Sequence, residues 1–231
     1  MQNILHNLRQ LLQSSDLKRS ITSQYKTQFS EYCQQKLYLQ DVATAYYRSV
    51  THLAARFISI ETTVADVGCG LGRLSFDCAS LGAKKVIGID SNQSLLSEAL
   101  RIDNNTSAYI KKFPHSGNVE FLCADVMALP IEDGNIDVVI CSNLIDRVAD
   151  PIQVTRELFR ITKQGGVIVL SDPYDWLIEY TPKTRWVSDI MQLLKGMDYA
   201  VLLRKNLEFV YPLYDRRATV YLCDVWVIKK L

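Results

Sequence analysis

The chain has little of what thiol, metal or imidazole chemistry needs. It holds three histidines and six cysteines in 231 residues, and no two cysteines stand as C-x-x-C. A disulfide framework or a structural metal site is therefore not expected. Of Cys33, Cys69, Cys78, Cys123, Cys141 and Cys223, three fall inside or at the ends of apolar runs that read as strands, where free cysteine acts as a small core residue. His6, His52 and His115 stand apart from every motif, which leaves no histidine for acid-base catalysis. An excess of one charge is missing too: 26 basic side chains against 25 acidic leave a formal charge of +1. The basic residues are scattered, so the electrostatic footprint for nucleic acid or an anionic membrane is absent. No apolar run approaches the ~20 residues of a membrane span, and residues 1–15 are amphipathic with no signal-peptide core. These absences together predict a cytoplasmic protein acting on a small molecule, and they leave its oligomeric state open.

What the chain does have is apolar mass, 48% of its residues, enough for one substantial core. There is no internal repeat and no low-complexity stretch. Ile4, Leu5, Leu8, Leu11 and Leu12, then Tyr46, Val50, Leu53, Ala54 and Phe57, recur at helical spacing, so residues 1–60 are expected to form a helical cap. From residue 63 the pattern alternates: strand 63–67, glycine turn, helix 73–81, strand 85–90, then a helix with Ser91 as its N-cap. After a loop at 112–118 come strands at 119–123 and 136–141, a helix at 151–162 behind Pro151, and a strand at 166–170 behind a Gly165-Gly166 turn. Two aromatic-rich extended runs, 208–213 and 219–229, close the chain as a hairpin. The expected fold is α/β, a Rossmann-like doubly wound sheet of about seven strands, mostly parallel with an antiparallel C-terminal hairpin. One domain is expected over 1–231, with the core at 61–171, a lid at 172–206 and the hairpin at 207–231.

The most informative stretch is Val64 to Gly72, Val-Ala-Asp-Val-Gly-Cys-Gly-Leu-Gly, followed eighteen positions later by Asp90 at the end of Lys-Val-Ile-Gly-Ile-Asp. Glycines at 68, 70 and 72 let a backbone press against a ligand, and an acid ending the next strand can take both hydroxyls of a ribose. Dinucleotide folds use G-x-G-x-x-G, whereas this loop is G-x-G-x-G with Asp66 before it, and no third glycine stands where a pyrophosphate needs one. S-adenosylmethionine (SAM), a nucleoside without phosphate, fits that difference and is the expected cofactor. Ligands of open α/β sheets lie beyond the carboxyl ends of the strands, so the residues just past each strand should line one cleft. The cofactor set so defined is Asp66, Gly68, Cys69, Gly70, Gly72, Arg73, Asp90, Ser91, Asp125, Val126 and Asn143. Asp125 is the candidate for the adenine amine, with a turn former or N-cap as its other role; Asp66 is expected to orient the loop or the SAM amino group, and Cys69 to fill a tight turn.

Past the fourth and fifth strands the chain reads Cys-Ser-Asn-Leu-Ile-Asp-Arg-Val-Ala-Asp-Pro (141–151) and Ser-Asp-Pro-Tyr-Asp-Trp-Leu-Ile-Glu-Tyr-Thr-Pro (171–182). With the glycine loop, these stretches resemble the methyltransferase domain of ovothiol biosynthesis, the mercaptohistidine N-methyltransferase family. The resemblance covers roughly residues 64–190 and the final Val225-Trp226 strand. It departs at Gly70 and Leu71, where the family tends to carry alanine and valine, and over the first 60 residues. The iron-dependent sulfoxide synthase region that accompanies the domain has no counterpart in the 231 residues, so any sulfur insertion is expected on another protein or has no part in this chain's role. The resemblance implies a class I SAM-dependent methyltransferase acting on a ring nitrogen of a mercaptohistidine-like amino acid. In-line methyl transfer needs alignment and desolvation rather than a nucleophilic residue. On the acceptor side, Arg147 suits a carboxylate, Asp146 an amine or ring N–H, and Tyr174 and Trp176 a flat ring. The plainer readings are a surface pair of Arg147 with Asp150 or Glu157, and core packing of the two aromatics. Tyr46, Tyr47 and Arg48 are expected on a helix closing over the cofactor. The alternatives to this function are a different small acceptor, or a silent SAM-binding partner protein.

Overall fold

The structure, a computed structural model, describes residues 43–104, 117–214 and 217–231. The helical pattern read at Ile4–Leu12, together with His6, Cys33 and His115, lies outside the described residues. In chain order the elements are α1 (Thr44–Ala55), β1 (Thr63–Val67), α2 (Arg73–Ser80), β2 (Lys85–Asp90), α3 (Gln93–Asn104), β3 (Val119–Cys123), β4 (Ile136–Ser142), α4 (Pro151–Ile161), β5 (Thr162–Asp172), β6 (Tyr199–Tyr214) and β7 (Arg217–Lys230). Short 3₁₀ turns stand at Ile145–Arg147, Lys183–Arg185 and Ile190–Gln192.

The seven strands form one sheet in the order β3-β2-β1-β4-β5-β7-β6. Strands β1 to β5 pair in parallel, and β7 runs antiparallel to both β5 and β6. The expected Rossmann-like sheet with an antiparallel C-terminal hairpin is what forms. After β1 the chain builds outward through β2 and β3, then returns to lay β4 on the other flank of β1. That reversal opens a crevice beyond the carboxyl ends of β1 and β4. Alternation sorts the side chains. Ala65, Val67, Val139, Cys141, Ile168, Leu170, Trp226 and Ile228 pack with Val154, Leu158 and Ile161 of α4. Val64, Val138, Ile140, Val167, Val169, Val225 and Val227 pack on the other face with Tyr46, Val50 and Leu53 of α1 and with Leu74 and Cys78 of α2. Both faces are covered, which is why these strands read as nearly continuous apolar runs. Among the described residues, no helix is long and apolar enough to cross a membrane.

Three local expectations change. The cap of α3 is Asn92, not Ser91: its Oδ1 accepts from the amides of Ser94 (3.1 Å) and Leu95 (3.2 Å). The Gly165-Gly166 pair does not turn the chain ahead of a strand; β5 already starts at Thr162 and absorbs the glycines as an irregularity. Gly165 takes φ 78°, and a Cβ on Gly166 would stand 2.9 Å from the carbonyl oxygens of Asp137 and Lys163. β6 starts at Tyr199 rather than 208, so the segment between β5 and β6 is correspondingly shorter than 172–206. Asp150, by contrast, caps α4 through its bond from the Gln153 amide (3.2 Å) with Pro151 in the first turn, so the Asp-Pro of the motif is a helix start.

Candidate functional site

The glycine loop is bolted to the end of β2. The amides of Gly68 and Cys69 both donate to the Ile89 carbonyl, at 2.8 and 2.9 Å. Asp90 continues the tie, with Oδ2 accepting from the Gly70 amide (2.9 Å) and Oδ1 from the Asn92 amide (2.8 Å). Each carboxylate oxygen keeps lone-pair capacity for a further donor. All three glycines have positive φ, 78°, 54° and 77°, but they are needed for different reasons. A Cβ on Gly68 would stand 2.9 Å from the Leu144 side chain, and one on Gly72 would stand 2.7 Å from the Phe121 ring. A Cβ on Gly70 would meet no atom within 4 Å among the described residues, its chain neighbours apart. Two glycines thus let neighbouring side chains pack, and the middle one faces empty space.

Asp66 is 2% exposed. Its Oδ2 accepts from the Ser75 hydroxyl at 2.6 Å, which ties β1 to α2 directly behind the loop. Burial, reinforced by the charges of Asp90 and Asp77, pushes this carboxyl up to about 7. Arg73 turns away from the loop: its Nε donates to Asp77 (3.0 Å) and its guanidinium lies over the Tyr47 ring. Arg73 lines a groove of roughly 290 Å³ between α1 and α2, with Arg48, Thr51, His52, Ala55, Asp77 and Leu81. That groove holds Arg73 but none of the glycines. The Cys69 thiol is buried, and burial next to Asp66 and Asp90 holds it well above its usual range, so it fills the turn as a neutral group. At β3 the amide of Ala124 donates to the Asp90 carbonyl (3.1 Å), joining the two strand ends. Asp125 is exposed and folds Oδ1 onto the Met127 amide (2.8 Å), while Val126 is buried and Ser91 exposed. Asp125 is therefore a turn former at the rim, with its other oxygen unengaged by the described residues.

Beyond β4 and β5 the arrangement is denser. Asp146 and Asp172 are both buried and lie against one another, the Asp146 amide donating to Asp172 Oδ2 at 3.1 Å. Asp146 also accepts from the Asp175 amide (3.0 Å) and from Arg147 (3.0 Å). Burial raises Asp146 to about 6, against the lowering effect of Arg147. It raises Asp172 further, to about 8, with the charge of Asp146 adding to it. Arg147 pairs with neither Asp150 nor Glu157, which take Arg185 and Arg160 instead. Its fork spans Asp146, the Asp175 carboxylate (3.0 Å) and the Asp175 carbonyl. The two motif-bearing loops are in this way stitched into one piece.

Tyr174 has φ 55° and donates its amide to Asp172 Oδ1 (2.8 Å); its hydroxyl donates to Asp224 (2.8 Å) and accepts from the Ile190 amide (2.9 Å). Trp176 stacks on Trp186 with centroids 6.4 Å apart and donates to the Val187 carbonyl. Tyr174 and Trp176 make no ring contact with each other among the described residues, and each answers to its own neighbours. Asn143 has φ 53°, and its Oδ1 accepts from the Tyr46 hydroxyl (2.9 Å) on α1. Asp172 and Asp175 fall in the stretch 171–176 expected past the fifth strand but were given no role of their own, and Asp224 was not picked out from the sequence. Asp172 had a legible signal, an acid ending a strand as Asp90 does; Asp224 had none, because only β-pairing brings it to Tyr174.

The comparisons with known proteins agree with this geometry. A family model described as a methyltransferase domain matches residues 58–200. An uncharacterised 37.1 kDa protein from a transposon of Streptomyces fradiae is 35% identical over 147 residues, 60% of this chain and 39% of that protein. The demethylmenaquinone methyltransferase of Lactococcus lactis is 36% identical over 109 residues, 46% of this chain and 40% of that protein. The chain thus spans about two-fifths of the length of these curated relatives. Among solved structures, a SAM-dependent methyltransferase from Aquifex aeolicus superposes with a TM-score of 0.53 at 18% identity, covering 76% of this chain and 85% of that one. At that identity the likeness speaks for the fold.

Proposed function

The chain belongs to the methyltransferase-domain family, whose cofactor is SAM, and on that premise we propose that it methylates a small-molecule acceptor. The observation that carries this is the loop at Gly70, a left-handed glycine with open space beside it, pinned by the same Asp90 that closes β2. The residues fit the cofactor. Gly68 to Gly72 give a backbone a ligand can approach. Asp90 has lone pairs left for ribose hydroxyls, and Asp125, with Val126 beside it, has a free oxygen for an exocyclic amine. Bound there, SAM supplies a methyl group on a positively charged sulfur. The protein's own part is to align an acceptor, keep water out and leave its nucleophilic atom unprotonated.

For the acceptor we propose a ring nitrogen of a mercaptohistidine-like amino acid. Support comes from the two motif segments, 141–151 and 171–182, which meet past β4 and β5 through Arg147 and Asp175. Asp175 is 42% exposed in its side chain and Arg147 31%, so a guanidinium and a carboxylate stand together at a reachable edge, matched to an amino acid's two charges. Arg147 serves both as the clip between the loops and as the cation on offer. A second reading, an apolar ring acceptor, is favoured by Leu177, Ile178, Tyr180 and Trp186, which are exposed between β5 and β6, and by the acceptor named for the Lactococcus lactis relative.

Incubation with SAM and a panel of histidine, mercaptohistidine, other imidazoles, amines and quinols, read by mass spectrometry, separates these. Methylated mercaptohistidine with poor use of histidine is expected, because a site shaped to a sulfur-bearing ring loses packing and leaves groups unmatched when the sulfur is missing. Methylation of quinols alone would support the second reading. Cofactor binding without transfer to any of them would move the assignment to a silent SAM-binding partner.

A further inference from the structure

Tyr46 of α1 is 2% exposed, and its hydroxyl lies within hydrogen-bond reach of three side chains at the carboxyl ends of β4 and β5: Ser171 Oγ at 2.7 Å, Ser142 Oγ at 2.8 Å and Asn143 Oδ1 at 2.9 Å. Proton counting orders this cluster. Asn143 Oδ1 can only accept, and it also lies 3.5 Å from the Cys223 thiol, another donor. With the phenol proton given to Asn143, Ser142 and Ser171 donate to the phenol oxygen's two lone pairs, and the single Ser171 proton is then used there rather than in the longer 3.1 Å contact with Ser142. Two donors converging on one end of the carboxamide fix that end as its oxygen. The NH₂ end then makes no hydrogen bond among the described residues, on a half-buried residue one step past β4 with left-handed backbone. Burial holds the phenol far above its usual range, so it remains a donor at every working pH.

We infer that Tyr46 is a positioning residue for the methyl acceptor. By holding the Asn143 oxygen, it presents the Asn143 NH₂ group as a hydrogen-bond donor to an oxygen or thiolate sulfur of that acceptor. This rests on the methyltransferase reading and deepens it. It gives an acceptor-side role to a helix expected from the sequence to close over the cofactor, and it predicts that acceptors bearing such a group beside the reacting atom are preferred.

The test uses the full chain, S-adenosylhomocysteine as the binding probe, and the acceptor panel with SAM. Tyr46→Phe keeps the ring and its edge contact with Phe209 (5.0 Å) and removes only the hydroxyl. It should leave S-adenosylhomocysteine affinity within about 2-fold while methyl transfer falls about 10-fold or more, the scale of one lost buried hydrogen bond. Asn143→Asp, which still accepts from Tyr46 but has no NH₂, should lose as much, and the double variant no more than the larger single loss. The Asn143 side-chain amide signal in NMR, identified by its loss in Asn143→Asp, should shift in Tyr46→Phe. Transfer unchanged in Tyr46→Phe, full activity in Asn143→Asp, an unmoved amide signal, or equal loss of probe affinity and transfer would each overturn the inference. A wild-type protein that binds the probe and transfers to no acceptor would instead remove the methyltransferase reading and the inference with it.

Discussion

The two halves of the crevice are built in opposite ways. At the ends of β1, β2 and β3 the groups proposed for the cofactor are exposed or half-open: Asp125 at the rim, Asp90 half-buried, and, among the described residues, room for a Cβ at Gly70. At the ends of β4 and β5, and where β7 pairs with the end of β5, they are buried or half-buried and bonded to one another, in the Asp146–Asp172 pair, the Arg147–Asp175 clip, the Tyr174–Asp224 bond and the Tyr46 cluster. A half that binds one invariant cofactor needs a shaped backbone and few side chains. A half that selects an acceptor needs side chains locked in place, since a loosely held group loses both affinity and alignment.

Substitutions that probe this contrast should separate stability from binding. The largest effect on folding is expected at Gly72→Ala. The left-handed backbone costs about 1–3 kcal/mol, and a Cβ at 2.7 Å from Phe121 adds overpacking of about 1–3 kcal/mol. Denaturant midpoints check it; a value near wild type would mean that Phe121 moves freely. Arg147→Ala should follow at about 2 kcal/mol, discounted because the guanidinium is about a third exposed. It leaves Asp146 buried with its remaining bonds only, and it should abolish acceptor use while SAM affinity stays within about 2-fold. Parallel loss of SAM affinity would erase the boundary between the halves.

That boundary also explains what the sequence reveals. The cofactor half is legible because its bonds are local or run between neighbouring strand ends: Asp90 to Asn92, Asp125 to Met127, and Gly70 to Asp90 across one β-α-β unit. Strands β1, β2 and β3 are read to the residue for the same reason, since apolar runs between glycines and acids mark both ends. The acceptor half depends on pairs such as Tyr46 with Ser171 and Tyr174 with Asp224, 125 and 50 positions apart, which no spacing rule connects. Arg147 shows the cost. Its guanidinium was expected to meet an acceptor carboxylate, and the protein partner it meets, Asp175, comes from a loop 28 residues on.

A smaller effect concerns pH. Burial raises Asp172 to about 8 and Asp146 to about 6, both above the ordinary value of 3.8. For a carboxyl raised in the folded state, the stabilising contribution is complete below about pH 4 and is lost as pH climbs through 8, because the unfolded chain ionises first. The melting temperature should therefore decline between pH 5 and 8.5, and Asp172→Asn should flatten that slope by an amount on the order of 1 kcal/mol. An unchanged slope would place the pH response elsewhere.

The most direct test of the account is calorimetric titration of S-adenosylhomocysteine into the wild type, Gly70→Ala and Asp90→Ala. With open space around Gly70, the alanine variant should fold with a loss of only about 1 kcal/mol yet bind at least about 10-fold more weakly, because its Cβ enters the space assigned to the ligand. Asp90→Ala should lose about 1.5–3 kcal/mol of binding free energy through bonds to a charged group. Wild-type affinity in both variants would contradict the central claim, that the glycine loop and Asp90 form the cofactor site.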